Sequence, residues 1–458
     1  MTYFELNLNR LAGKVNTSVL RTEGKRVGVE ASRAGAVTGY LPDTRTYLHS
    51  RYDPVKEAER FAGDLRADET YILIYGFGFG YHVEAVLNRV GSSTHVIVFE
   101  ASLPAICTAL EVRDLWFLGD RRLEIVFPDD SNSWVTTFAR SMEAVLERDG
   151  RLLIHTPSLQ GIPDELAEVK RLLEEWKVLS GSAADTQLIK QNLRFHQERV
   201  GGLPNVTQYF QQFYGIPGIL VAAGPSLDRN GHLLSQVKGK AFILSVGTAV
   251  KALIGMGVEP DLMILTDPHP RVAEQLKDVD VEIPLILFPT VHESVFRQHK
   301  GPKIYAFQKG VPETESWANE LGYNLVETGG SVATAGLDVL IQLGCNPIVL
   351  VGQDLAYTNG RSHASNTVYD QAPQPQPIYQ TEAYGGGMIG TSLSWEIYRK
   401  WIERKCRRHP DRLFLNATEG GARIHGVSEV DLLSVVQSFA DLPVHSFRDS
   451  ILNQNHRS

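Results

Sequence analysis

Cysteine is scarce: Cys107, Cys345 and Cys406 are the only thiols in 458 residues. Three cysteines so far apart build neither a disulfide framework nor a zinc site with its short ligand spacing, so each reads as a small buried residue in a reducing compartment. Long apolar runs are missing as well, and none approaches the about 18 residues that a spanning helix requires. The opening stretch MTYFELNLNRLAG lacks the basic region and apolar core of a secretory signal. The expected location is therefore the cytoplasm. Excess positive charge is also absent. The 45 Lys and Arg against 53 Asp and Glu leave a net charge of -8, which argues against a general nucleic-acid or acidic-membrane binder. One basic run, RKWIERKCRR at 399–408, reads as the solvated face of a helix packed through Trp401 and Ile402. No internal repeat and no metal-ligand spacing is visible.

What is present describes an ordinary globular protein, with 43% hydrophobic and 21% charged residues. The length suggests about three domains. Residues 1 to 65 carry no recognisable chemistry beyond an amphipathic helix expected at 54–66. YILIY at 71–75 predicts a strand, followed by the glycine-rich turn GFGFGYH at 76–82, a helix to Arg89, and a second strand 95–99 closed by Glu100. A glycine-rich first turn with an acidic residue ending the second strand is the pattern that holds a cofactor's phosphate or methionyl part and then its ribose. The GxGxG spacing, without the later dinucleotide glycine, is closer to a methyltransferase turn, and the domain reads as a Rossmann-like scaffold. A strand at 123–127, helical residues 134–146 and a strand at 152–155 complete it. From 163 to 200 a charged pattern of period 3.6 predicts long bridging helices, followed by a short aromatic helix at 206–214.

From Gly218 strands and helices alternate, which predicts a parallel α/β sheet. GILVAAGPS at 218–226 is a buried strand and a Gly224 turn, with Ser226 expected to cap a helix at 227–237. Such a turn offers backbone N–H groups and a positive dipole end to phosphate. Further strands are expected at 241–246, 261–266, 285–288, 303–307, 324–327 and 347–351, with a helix at 332–343. In open parallel sheets ligands bind beyond the carboxyl ends of strands, where the order reverses. Those ends carry Gly224, Pro225 and Ser226, then Thr248, Asp267, Gly330 and Ser331, and Gln353-Asp354. Each also has a structural reading, Thr248 and Ser331 as helix caps and Asp267 as a turn residue, but their convergence on one rim predicts a cleft. The stretch 355–394 reads as a lid or binding loop. It holds Tyr357, Asn359, Arg361 and His363, a Pro/Gln tract at 371–380, and Gly385 to Gly387. A helix at 395–407, a strand at 412–415, a turn at 416–422, a helix at 430–439 and a polar tail follow.

AAGPSLD at 222–228, TDP at 266–268, GGSVA at 329–333, VGQDLAYTNGRSHA at 351–364 and NATEGGARIHG at 416–426 together resemble the central domain of the motility-associated factor (Maf) flagellin glycosyltransferases. The motifs span about half the chain in the expected order, and the GFGFGYH turn with Glu100 is similar to that family's N-terminal domain. The resemblance implies an α/β protein: a Rossmann-like N-terminal domain (1–160), a helical linker (161–215), a sialyltransferase-like parallel-sheet domain (216–430) and a C-terminal helix and tail (431–458). It also implies transfer of a nonulosonic acid, such as pseudaminic or legionaminic acid, from its CMP-activated form to Ser or Thr of flagellin, in flagellum assembly. Tyr357 matches a tyrosine that donates to the leaving phosphate, and His363 stands where another tyrosine does so. The family's catalytic histidine has no counterpart between Asp370 and His409. The general base is therefore open among Asp354, Glu419, His363 and His425. The implied donor site comprises Gly224, Pro225, Ser226, Thr248, Asp267, Gly330, Ser331 and Gln353. No cofactor other than the donor is expected, and a divalent metal is left open. Two other readings are a pterin diphosphokinase of the same superfamily, which shares the GPSLD-type turn, and a non-catalytic flagellin-binding module.

Overall fold

The structure, a computed structural model, describes residues 2–21, 27–128, 131–148, 150–167, 169–170, 172–174, 183–277, 279, 282–370 and 379–440. The Pro/Gln tract up to 378, residues 175–182 of the predicted bridge and the tail from 441 lie outside them. The chain divides into two compact units, Met1–Glu174 and Glu175–Ser458.

The first unit opens with a helix, Tyr3–Leu11, followed by a hairpin of β1 (Gly28–Ala31) and β2 (Val37–Tyr40), paired antiparallel. Its centre is a parallel sheet of β3 (Tyr71–Tyr75), β4 (His95–Phe99), β5 (Leu123–Val126) and β6 (Arg151–Ile154), in the order β5-β4-β3-β6. All five residues of β3 are buried, as an unbroken apolar run covered on both faces must be. The helix Tyr81–Arg89 starts from Gly80 at φ 78. The first predicted helix is shorter than expected, Pro54–Phe61, with Asp53 accepting from the N–H groups of Val55 and Lys56.

The second unit is built on eight parallel strands: β7 (Gly218–Val221), β8 (Phe242–Val246), β9 (Leu262–Leu265), β10 (Leu285–Leu287), β11 (Lys303–Tyr305), β14 (Ile348–Val351), β17 (Phe414–Asn416) and β18 (Ser428–Glu429). Their order is β11-β10-β9-β8-β7-β14-β17-β18. The chain moves outward from β7 in one direction, then returns to the other side of β7 as β14, so the reversal lies between those two. The helix Val332–Leu343 crosses the centre of the sheet. Gly336 allows the approach, since a Cβ there would lie 2.8 Å from Leu220 Cδ1.

The α/β class and the parallel sheet stand as expected, with several local differences, among them a 3-10 turn over Val206–Tyr209 in place of the helix expected at 206–214. β12 (Phe307–Gln308) and β13 (Leu325–Val326) leave the main sheet and pair with each other. The predicted helix 227–237 is α-helical only over Leu227–Asn230 and tightens to a 3-10 helix over Gly231–Val237. Gly231 weakens the α-helix there and sits so close to Leu227 and Met256 that a Cβ would meet both within 2.9 Å. In the long loop, β15 (Tyr379–Glu382) and β16 (Met388–Thr391) form a hairpin whose turn is Gly385, Gly386 and Gly387, all at positive φ. The basic run is only partly solvated. Arg399 is buried against Glu396 and Glu403, and Lys405 donates to Asp338 at 2.6 Å and Glu327 at 2.9 Å. Cys107, Cys345 and Cys406 are buried and not in disulfides.

Candidate functional site

At the reversal between β7 and β14 the GPS turn has its own anion. Asp354, just past β14, accepts the Ser226 hydroxyl at 2.6 Å and the Ser226 N–H at 3.3 Å, and its other oxygen accepts Thr358 Oγ1 at 2.6 Å. Gly224 is required because a Cβ there would overlap Asp354 Oδ1 and the Gly352 carbonyl, and Gly421 because a Cβ would overlap the Asp354 backbone. Ser226 is therefore not the expected N-cap: its φ/ψ of -62/-25 is helical, and its hydroxyl points to Asp354 rather than to the first turn. Asp354 is 2% exposed. Burial pushes its carboxyl above the usual range, against the opposing hydrogen bonds from Ser226 and Thr358. Pro225 lies within this turn. Gln353 donates its N–H to Thr418 at 3.1 Å, and its buried Oε1 has no hydrogen-bond partner among the described residues. Glu419 sits at φ 59, and its Oε1 accepts from Asn230 at 2.9 Å and from the Leu432 N–H at 3.1 Å, so it fastens the helix Leu432–Ser438.

Tyr357 and His363 lie on the loop above this turn. Tyr357 is buried with its ring 4.7 Å from that of Trp395, and its N–H donates to Gly390. His363 packs 4.9 Å from the Tyr369 ring with Nδ1 3.0 Å from Ser362 Oγ. Burial lowers its pKa to about 4, so the ring is neutral at pH 7.

The remaining donor candidates divide. A small cleft with about 40 Å³ of free space, open to solvent, is lined by Ile189, Thr266, Pro268, Thr290, Gln308, Val311, Thr328, Gly330 and Ser331. It lies past the ends of β9 and β10, at the N-terminus of the helix Val332–Leu343. Ser331 is the expected cap, its hydroxyl accepting from the Thr334 N–H at 3.3 Å in a capping box. Because β13 is outside the main sheet, Ser331 reaches the rim through the small sheet rather than from a main-sheet strand end. Asp267 is half-buried beside Pro268, and its Oδ1 accepts the His269 N–H at 2.8 Å, which makes it a turn residue as well as a rim residue. Thr248 does not cap its helix: Val246 is the cap, and Thr248 stands in the first turn.

Sequence reasoning missed Asn192 and His196. Both face inward from the helix Ala183–Gln197, where Ile189, Asn192, Leu193 and His196 share a face of helical period. Asn192 donates to the carbonyls of Pro268 at 3.0 Å and Thr290 at 2.9 Å, tying the floor of the cleft together. The Thr290 hydroxyl is buried without a partner among the described residues.

The glycine turn of the first unit is filled from within. Glu100 is 1% exposed and accepts the N–H groups of Phe77 at 2.8 Å and Ser102 at 2.8 Å. His49, His82 and His155 are buried against the same turn, where a Cβ on Gly78 would lie 2.6 Å from His49 Nε2. The Phe79 N–H donates to His49 Nε2 at 2.8 Å, and His82 Nε2 donates to the Gly76 carbonyl at 2.7 Å. Burial holds all three imidazoles below their ordinary pKa, His82 at about 3. Their nitrogens lie within 4.8 Å of one another, the one such metal-capable group among the described residues. The rings do not suit an ion. His82 and His155 are stacked at 4.2 Å and 10°, so their in-plane lone pairs lie in separate, nearly parallel planes, and the acceptor nitrogen of His49 already holds the Phe79 N–H.

A family described as 6-hydroxymethylpterin diphosphokinase MptE-like matches residues 187–360. No curated protein matches the chain. Among solved structures, the chain is similar to a Maf glycosyltransferase from Magnetospirillum magneticum AMB-1, at 16% identity over 99% of this chain and 77% of that one, with a TM-score of 0.45. It is also similar to MNMC2 from Aquifex aeolicus, at 16% identity over 33% of this chain and 70% of that one, with a TM-score of 0.19. No described helix is long and apolar enough to cross a membrane.

Proposed function

We propose that this protein is a glycosyltransferase that moves a nonulosonic or related ulosonic acid from its CMP-activated form to Ser or Thr of flagellin, in the cytoplasm. The observation that carries this reading is the cleft past β9 and β10, which joins a helix N-terminus, the Gly330-Ser331 turn and the Thr290 hydroxyl, which has no partner among the described residues. First-turn N–H groups of a helix have no intrahelical partner and favour an anion such as the CMP phosphate. Asp267 on the rim suits a ribose or sugar hydroxyl. Loss of CMP builds negative charge on phosphate, which the Tyr357 hydroxyl and the neutral His363 ring would stabilise as hydrogen-bond donors. Asp354, enclosed by Ser226 and Thr358, serves to hold the turn rather than to abstract a proton. The test is intact-mass analysis of flagellin co-expressed with this chain and CMP-nonulosonic acid pathways, alongside calorimetric titration with CMP. Added mass at Ser or Thr is expected; an unchanged mass with every pathway, together with no CMP binding, would reject the reading.

The family match over 187–360 favours a second reading, pterin diphosphate transfer from ATP. That chemistry needs carboxylates around Mg-bound phosphates, and the described cleft lining contains none, with Asp267 standing beside it. Magnesium-dependent ATP binding without CMP binding would select it.

A further inference from the structure

The loop that carries Tyr357 and His363 is held in a shape its residues do not favour alone. Leu355, Asn359 and Asn366 have φ values of 50, 53 and 59; asparagine tolerates this region, but for a leucine it persists only where the surroundings over-determine it. At its start the loop is fixed by the Thr358 hydroxyl on Asp354. At its far end the restraint comes from Asp228, two residues past Ser226. Asp228 Oδ1 accepts the Ser365 N–H at 2.9 Å, and Oδ2 accepts the Ser365 hydroxyl at 2.8 Å and Arg361 Nη1 at 2.9 Å. Arg361 Nη2 reaches on to Ser365 Oγ at 3.0 Å and Asp370 at 3.2 Å. Between these anchors the Ala364 N–H donates to the Ala223 carbonyl at 2.9 Å, at the end of β7. His363 is thus gripped on both sides from one carboxylate.

We infer that Asp228 is a positioning residue: through Arg361 and Ser365 it sets where the His363 ring stands relative to the sheet edge, without itself meeting donor or acceptor. A charged carboxylate is suited to this, because it accepts several donors at once and its bonds to guanidinium are stronger than neutral ones. What His363 does there rests on the proposed transferase reading; the clamp itself does not.

The experiment uses the full chain with Asp228→Ala and, in case that variant folds poorly, Asp228→Asn, which keeps the volume and one acceptor oxygen. Hydrogen exchange by mass spectrometry over residues 357–366 is expected to rise at least tenfold in Asp228→Ala and less in Asp228→Asn. Transfer kcat is expected to fall about tenfold or more, with the donor KM within twofold and CMP affinity unchanged, because ring placement matters to the reacting geometry more than to binding. Wild-type exchange in both variants overturns the clamp. Raised exchange with unchanged kcat overturns positioning and leaves a loop restraint only. If the wild-type chain neither binds CMP nor modifies flagellin, the transferase reading fails, and the exchange data alone decide whether the clamp exists.

Discussion

Asp354 shows how one side chain can take over the task its neighbours advertise. The GPS turn has the glycine, the N–H groups and the helix start of a phosphate cradle, and each was legible in the sequence. The carboxylate that fills it comes from 128 residues later, a distance that no local pattern reports. A Gly224→Ala variant puts a methyl group into that carboxylate and the Gly352 carbonyl, so a loss of about 3 kcal/mol is expected in denaturant unfolding. Asp354→Asn removes the charge and keeps the shape. Transfer at more than half the wild-type rate in that variant would exclude Asp354 as the general base. Asp267→Ala should abolish donor binding in calorimetry while lowering stability by only about 1 kcal/mol, the worth of one turn hydrogen bond. Retained transfer would return Asp267 to a purely structural role.

Among the elements, most strands were legible because fully buried parallel strands read as unbroken apolar runs, as YILIY and the β14 residues do. The β15–β16 hairpin was not, since its half-exposed strands mix polar and apolar residues and its three-glycine turn resembles a linker. The glycine turn of the first unit was legible as a turn but not as to its content. Gly78→Ala there, at φ 50 and against His49, should destabilise the protein by about 1 to 3 kcal/mol. Acid should do the same. His82 titrates at about 3 when folded and near 6.5 when unfolded, so its contribution is whole above pH 6.5 and is lost as pH falls toward 3. At pH 5 the loss for one such histidine is about 2 kcal/mol. His82→Gln should flatten the fall of stability between pH 6.5 and 4; an unchanged slope would mean that the cluster is not what the acid finds.

For the whole molecule, strand order was the part the sequence could not supply, because the reversal between β7 and β14 depends on which side the chain returns to. Separate hydrophobic cores, one within Met1–Glu174 and others within Glu175–Ser458, give each unit its own source of cooperativity. Calorimetry at pH 5 should resolve two transitions, with His82→Gln raising only one and Gly224→Ala lowering only the other. A single transition moved by both would show the units melt as one. The self-filled glycine turn also bears on supply. A domain that folds around a metabolite gains stability from that metabolite's concentration, and its amount in the cell follows the nutritional state. Here Glu100 and three imidazoles complete the turn, so S-adenosylmethionine, the cofactor that a methyltransferase turn would hold, should leave the melting temperature unmoved, and a starving cell would keep this unit as well folded as a fed one.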